Sequence, residues 1–171
     1  MIVLMAGLPG TGKSTLARAL ASRLDGVVLS KDEIRHAIFS PVEVEYSTAQ
    51  DDFVMQIMLE AVAWILQRNA NRVVFLDGRT FSRRYQIEQV LAVAKGLQQP
   101  WRILECICPE ETVRTRIESQ AAGGEHPAGN RNFHLYFEVK ANFEAIALPK
   151  TVIDTDQSLE ECVGEAIHAL L

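Results

Sequence analysis

The chain is short of the features that mark secreted, membrane-spanning or nucleic-acid-coating proteins. It has three cysteines in 171 residues, Cys106, Cys108 and Cys162, an odd set that a disulfide framework cannot fully pair. Cys106-Ile107-Cys108 lacks the two-residue spacer and the second ligand pair of a zinc site. Alternation along the apolar run from Ile103 predicts both sulfurs on one face of a strand, as small buried hydrophobes in a reducing compartment. No stretch approaches the ~20 apolar residues of a membrane span. Met1–Ala6 has no basic lead and is too short for a signal peptide, so the expected address is the cytoplasm. Positive charge is not in excess either. The 17 Lys+Arg against 22 Asp+Glu give a net charge of −5, with no global electrostatic footprint for duplex nucleic acid or anionic lipid. Repeats and low-complexity tracts are missing as well.

What remains is an ordinary globular composition, 48% hydrophobic and 23% charged, sufficient for one domain spanning residues 1–171 without a disulfide or metal staple. Strand-like and helix-like stretches alternate. Short apolar runs at Ile2–Ala6, Val27–Leu29, Val73–Leu76, Trp101–Cys108 and Thr151–Ile153 read as strands. Helical spacing runs through Lys13–Leu24, Asp32–Phe39, Asp51–Arg68, Arg83–Leu97, Glu110–Gln120 and Ser158–Leu171. In the long helix the predicted inward stripe is Phe53, Val54, Ile57, Met58, Ala61, Val62, Ile65 and Leu66. In the last helix it is Leu159, Cys162, Val163, Ala166, Ile167 and Leu170, with Ser158 as cap and Glu161 completing a capping box. Apolar strands alternating with helices predict an α/β fold, a parallel sheet with helices on both faces. Ala121–Asn132 breaks the pattern. It is polar and glycine-bearing without period, as expected of a lid, and His126 within it has no company for a metal beyond His134.

The sequence Gly7-Leu8-Pro9-Gly10-Thr11-Gly12-Lys13-Ser14, followed by Thr15, matches G-x-x-x-x-G-K-S/T in full, between a strand and a helix. Glycines let successive backbone N–H groups converge on a phosphate, and the helix amino terminus adds positive potential. Lys13 is expected to bridge the β- and γ-phosphates and Ser14 to hold Mg²⁺. The guanine-reading N-K-x-D pattern is absent, which leaves ATP as the expected donor.

Ser30-Lys31-Asp32-Glu33-Ile34-Arg35 directly follows the second strand, on the side of a parallel sheet where ligands bind. Asp32 and Arg35, three apart, share a helix face. They suit either a proton acceptor and an anion clamp or a plain capped helix with a surface pair. Asp77, at the end of the third strand, suits either a metal-associated carboxylate or a turn-forming Asp-Gly. Arg79, Arg83 and Arg84 follow it, and Arg79 is the one nearest the strand end.

The phosphate loop together with S-x-D-x-x-R resembles the small P-loop kinases related to polynucleotide 5′-hydroxyl kinase, chloramphenicol phosphotransferase, gluconate kinases and zeta toxins. Leu76-Asp77-Gly78-Arg79-Thr80-Phe81, the stretch from Cys108-Pro109-Glu110-Glu111 to Arg116-Ile117, and Val152-Ile153-Asp154-Thr155 resemble later segments of that group. The resemblance implies a P-loop NTPase fold with five parallel strands in the order 2-3-1-4-5. It implies Asp32 as general base, held charged by Arg35 and Mg²⁺, and Arg35 as a clamp on acceptor or phosphoryl group. It places Asp77 near the acceptor or in the metal's water shell and Arg116 on the lid, while Arg79, from its place by the strand end, is a candidate substrate contact. The group often has a second lid arginine four residues on, where this chain has Gln120, and Arg131 is the replacement candidate. The implied activity is transfer of the γ-phosphoryl of ATP to a hydroxyl. The acidic balance favours a small-molecule acceptor over a nucleic acid 5′ end, and Asp32 argues against a regulatory ATP-binding switch.

Overall fold

The computed structural model describes residues 1–123 and 133–171, with the side chains of 120–123 excepted. The assigned lid residues 124–132, including His126 and Arg131, therefore lie outside the described residues. Chain order is β1 (Ile2–Ala6), α1 (Lys13–Arg23), β2 (Val27–Ser30), α2 (Lys31–Ile38), α3 (Thr48–Arg68), β3 (Val74–Asp77), α4 (Arg84–Gly96), β4 (Trp101–Ile107), α5 (Glu110–Gly123), α6 (Phe133–Ala141), β5 (Thr151–Asp154) and α7 (Leu159–Leu170).

The strands form one parallel sheet in the order β2-β3-β1-β4-β5. All five residues of β1, the central strand, are buried, so it must be apolar on both faces, as Ile-Val-Leu-Met-Ala is. Ile2, Leu4 and Ala6 face α3 and α4 together with Val74, Leu76 and Ile103. Val3 and Met5 face α1 and α7 with Phe75, Leu104, Cys106 and Ile153. Because every connection is parallel, all strand ends that follow the chain direction emerge on one edge, which is where α1, α2 and the Asp77-Gly78 turn begin.

The helices differ from the periodic reading in a few places. The α3 stripe is Val54, Met55, Met58, Val62 and Leu66. Phe53 is half exposed and packs on Phe39, ring centroids 6.0 Å apart, at the margin of the core. In α7, Leu159 is exposed while Cys162, Val163, Ala166 and Leu170 are buried. Ser158 accepts from the Glu161 N–H and Glu161 reaches back to the Ser158 N–H, so the capping box is formed. Ala121 and Ala122, strong helix formers, carry α5 on to Gly123, so the first three residues assigned to the lid are helical. Cys106 is buried, but Cys108 falls past the end of β4, is only partly buried and joins a different cluster. All three cysteines are free thiols. Among the described residues no helix is long and apolar enough to cross a membrane.

Helix α6 was not expected from the sequence. Its Phe133 and Tyr136 rings stack and Phe137 meets both edge-on, and Tyr136 joins Val113, Ile117 and Leu8 in a small third cluster over the phosphate loop.

Candidate active site

The phosphate loop links β1 to α1 and is pinned from several sides. Gly7 has φ +126°, and a Cβ there would lie 2.3 Å from the Cys106 carbonyl oxygen, so the position admits only glycine. The Gly7 N–H donates to the Thr80 carbonyl, tying the loop to the exit of β3. Gly12 caps α1 in the left-handed region and offers no side chain to the helix start. The first N–H groups of α1 are thus left to an incoming anion. Lys13 is buried, and its Nζ donates to the Gly7 and Leu8 carbonyls at 2.9 and 2.7 Å. The ammonium is held folded over the loop.

Beside the loop lies a cavity of ≈ 560 Å³. Lys13 and Ser14 line it from α1, Lys31, Asp32 and Arg35 from α2, and Asp77, Gly78 and Arg79 from the β3 exit. Tyr46 closes it from the segment before α3, Asp51 from the first turn of α3, Tyr85 from α4, and Leu135 and Glu138 from α6. Asp32 and Arg35 from α2 and Asp77 and Arg79 from the β3 exit are brought together because β2 and β3 are parallel neighbours in register, Ser30 opposite Asp77.

Ser30 caps α2 by accepting from the Glu33 N–H, so the cap does not need Asp32. Asp32 is 8% exposed, with Oδ1 accepting from Arg35 Nη1 at 3.3 Å and lying 3.9 Å from Lys31 Nζ. Burial is the dominant influence and pushes its carboxyl above the ordinary aspartate range, although Lys31 and Arg35 pull it down. Desolvation thus outweighs the pull of Lys31 and Arg35 on this carboxyl. Arg35 is fully buried and also pairs with Asp51, which in turn takes Lys31 Nζ at 2.8 Å. Arg79, 3% exposed, pairs with Asp52 and donates to the Tyr85 hydroxyl.

Four buried side-chain polar atoms among the described residues have no hydrogen-bond partner: Arg35 Nε, Asp77 Oδ1, and Arg79 Nε and Nη1. All three residues line this one cavity. A buried donor or acceptor left unmade costs about 1–3 kcal/mol, so their concentration here marks a wall built for a ligand. The unsatisfied Asp77 carboxylate and the Ser14 hydroxyl are hard oxygen donors that fit Mg²⁺. Among the described residues no group of three His, Cys, Asp or Glu side chains could hold a metal by itself. A magnesium ion here would have to share its coordination with phosphate and water.

Arg116 is not on this cavity. Its Nη2 donates to the Thr155 carbonyl at 2.7 Å and its Nη1 to the Thr155 hydroxyl at 3.1 Å, beside Gly12 on the outer flank of the phosphate loop. Cys108, 3.6 Å from Arg116 Nη1, completes that contact, and burial raises its thiol. Arg83 lines the cavity but pairs with Glu144, while Arg84 pairs with Glu88 and is exposed. Arg114 lies over the Phe133 ring. The residues that sequence reading did not single out are Tyr46, Asp51, Asp52 and Tyr85, and the α6 wall. Only α6 had a local signal, the aromatic spacing of Phe133, Tyr136 and Phe137 at i, i+3 and i+4.

A phosphate loop at the carboxyl edge of a 2-3-1-4-5 parallel sheet, sharing its cavity with the S-x-D-x-x-R side chains, defines the P-loop kinase fold. The chain belongs to the AAA_33 family, an AAA domain whose family model matches residues 2–145. No curated protein matches the sequence. Solved structures do share the fold. A Chloroflexus aurantiacus protein proposed to be a kinase has TM-score 0.77 at 21% identity, covering 99% of this chain and 98% of its own. The APS kinase of Mycobacterium tuberculosis, solved with AMPPNP and APS, has TM-score 0.74 at 18% identity, covering 99% and 96%. A gluconokinase of Sinorhizobium meliloti has TM-score 0.68 at 17% identity, covering 99% and 90%.

Proposed function

We propose that the protein is an ATP- and Mg²⁺-dependent phosphotransferase that moves the γ-phosphoryl group to a hydroxyl of a small molecule. The observation that carries this reading is the presence of Asp32, Lys13 and Ser14 on one cavity wall system, so that a carboxylate faces the space next to the phosphate loop. The loop N–H groups and Lys13 bind the β- and γ-phosphates and take up the negative charge that shifts onto them during transfer. Ser14 and Asp77 would hold Mg²⁺, which when bound neutralises phosphate charge. Asp32 accepts the proton of the acceptor hydroxyl as its oxygen bonds to the γ-phosphorus, and the phosphoryl bond to ADP breaks. A carboxyl raised by burial is a stronger base than a solvated aspartate once it is ionised. Arg35, anchored by Asp32 and Asp51, orients the phosphoryl or acceptor oxygens.

The position of Arg116 beside Gly12 and Thr155 supports a role in seating the nucleotide rather than contacting the acceptor. Arg131 stays the candidate for a lid cation. A polynucleotide acceptor has less support, because the cavity mixes Asp51, Glu138 and Asp32 with its cations and the chain is acidic. A regulatory ATP switch would not need a buried carboxylate beside the phosphate loop. The test is a transfer assay with γ-labelled ATP against sugars, nucleosides, antibiotics and 5′-hydroxyl oligonucleotides. Label on a small-molecule hydroxyl is the expected result, and label on the oligonucleotides alone selects the alternative acceptor.

A further inference from the structure

Arg79 is the least satisfied charged group of the cavity. Of its three guanidinium nitrogens only Nη2 has partners, Asp52 and the Tyr85 hydroxyl, while Nε and Nη1 are buried with none. Asp52 is itself not among the residues lining the cavity, and its side chain is 36% exposed, so the partner that neutralises Arg79 sits at the solvent side. The backbone is bent to put the arginine there. Gly78 before it has φ +86°, where an added Cβ would lie 3.0 Å from the Lys31 backbone nitrogen, and Phe81 after it is a buried non-glycine residue with φ 52°. A bulky residue held in the left-handed region is strained and persists where the surroundings require it. Phe81 is locked into the α3–α4 core, so the strain fixes the Arg79 segment rather than loosening it.

Two features together make a structural role for Arg79 inadequate. A cation that served only to pair with Asp52 would not need to be buried, and a core position would not leave two guanidinium nitrogens unmade. A guanidinium presents five N–H donors and no acceptor, so whatever completes it must offer oxygen, and the buried charge favours an anionic one.

We infer that the phosphoryl acceptor carries an anionic oxygen group, a carboxylate or a phosphate ester, which Arg79 binds on the α3–α4 wall of the cavity. The Tyr85 ring, whose centroid is 5.7 Å from the Arg79 Cζ, flanks that subsite, and Arg83 stands by it as a half-exposed second cation. The bound anion competes with or joins Asp52 on the guanidinium, and the acceptor is held by its charged end while its hydroxyl reaches Asp32. This inference rests on the phosphotransferase reading and narrows it to hydroxylated anions.

The test measures phosphoryl transfer by the unmodified protein to matched acceptors that differ only in the charged group. Glucose is set against gluconate and glycerol against glycerate for the carboxylate. Nucleosides are set against their 5′-monophosphates, and glycerol against glycerol phosphate, for the phosphate ester. The charged member of at least one pair is expected to win by about 10²-fold in kcat/KM, and the winning pair tells which anion the subsite takes. Arg79→Gln should then raise the acceptor KM by about 10- to 100-fold while the KM for ATP stays within about twofold, with part of the loss recovered in Arg79→Lys. Neutral members accepted as well as charged ones overturn the inference while leaving the kinase reading intact. A loss in Arg79→Gln that falls on ATP instead overturns it too, since Arg79 would then serve the donor phosphates. Label that reaches no acceptor of either kind removes the phosphotransferase reading and this inference with it.

Discussion

Replacing Asp32 by Asn changes one proton-accepting group and almost no volume, so it separates chemistry from architecture. Asp32 does not cap α2, because Ser30 does. Arg35 keeps Asp51 when the Asp32 charge is removed. The carboxylate also sits where burial penalises its charged form, and the neutral amide is spared that penalty. The lost contact to Arg35 Nη1, 3.3 Å long, and the relieved desolvation therefore oppose each other, and net stability should move by no more than about 1 kcal/mol. ATP affinity should also hold, since the phosphate loop and Lys13 are untouched. Transfer should fall by about 10²–10⁴-fold, the usual contribution of a general base. The pH profile gives a second readout. Asp32 acts when deprotonated and its folded pKa is raised, so kcat/KM should rise with pH through a value above the ordinary aspartate range of 3.8, and Asp32→Asn should lack that limb. The same shift has a stability sign. A carboxyl raised on folding contributes stability below its unfolded pKa and loses it as pH rises through the folded value. The assay pairs calorimetric ATP binding with transfer of γ-label to the acceptor found by screening. Transfer retained above about half in the Asn variant, or ATP affinity falling in step with transfer, would refute the assignment.

Other perturbations reach the rest of the account. Lys13→Ala should abolish turnover and remove the rise in melting temperature that ATP confers, measured by differential scanning fluorimetry. Gly7→Ala should destabilise the fold and lose nucleotide binding, because its Cβ meets the Cys106 carbonyl at 2.3 Å where backbone cannot yield, and thermal melts with and without ATP check both effects. Chelating divalent cations should stop transfer, and Asp77→Asn should raise the Mg²⁺ concentration for half-maximal rate by about tenfold, seen in a magnesium titration of the initial rate. Met58→Ala, at a fully buried α3 position, should cost about 2–5 kcal/mol in urea denaturation without altering the KM for ATP relative to its folded fraction.

The sequence announces the parts of this molecule whose cause is local. The phosphate loop is legible because its glycines and Lys13 are adjacent in the chain, and the strands because Ile2–Ala6 is apolar over its length and Trp101–Cys108 over most of its own. The sheet order came from family resemblance, since periodicity cannot say which parallel strands are neighbours. Asp32, Arg35 and Arg79 were visible as candidates from their places after strand ends, yet their partners Asp51 and Asp52 were not. Asp51 lies in the first turn of α3, where an acidic residue is expected anyway for the helix dipole, and Asp52 follows it directly, so nothing local distinguishes them. The burial that governs Asp32 depends on α2, β3 and α3 closing around it, a tertiary fact. The motif puts Arg116 on the lid-leading helix, but nothing in the chain order announces that it meets Thr155 at the β5 exit. Hydropathy places Phe53 and Leu159 inward because it cannot tell the edge of a stripe from its centre, and both are exposed.

The most direct test of the central claim follows γ-labelled ATP with the unmodified protein, Mg²⁺ and a panel of hydroxyl compounds, recording ADP, free phosphate and labelled acceptor together. The account predicts label on a hydroxyl in step with ADP formation and exceeding free phosphate. ATP that binds and stabilises the protein while its label stays on the nucleotide, or leaves only as free phosphate, would contradict it.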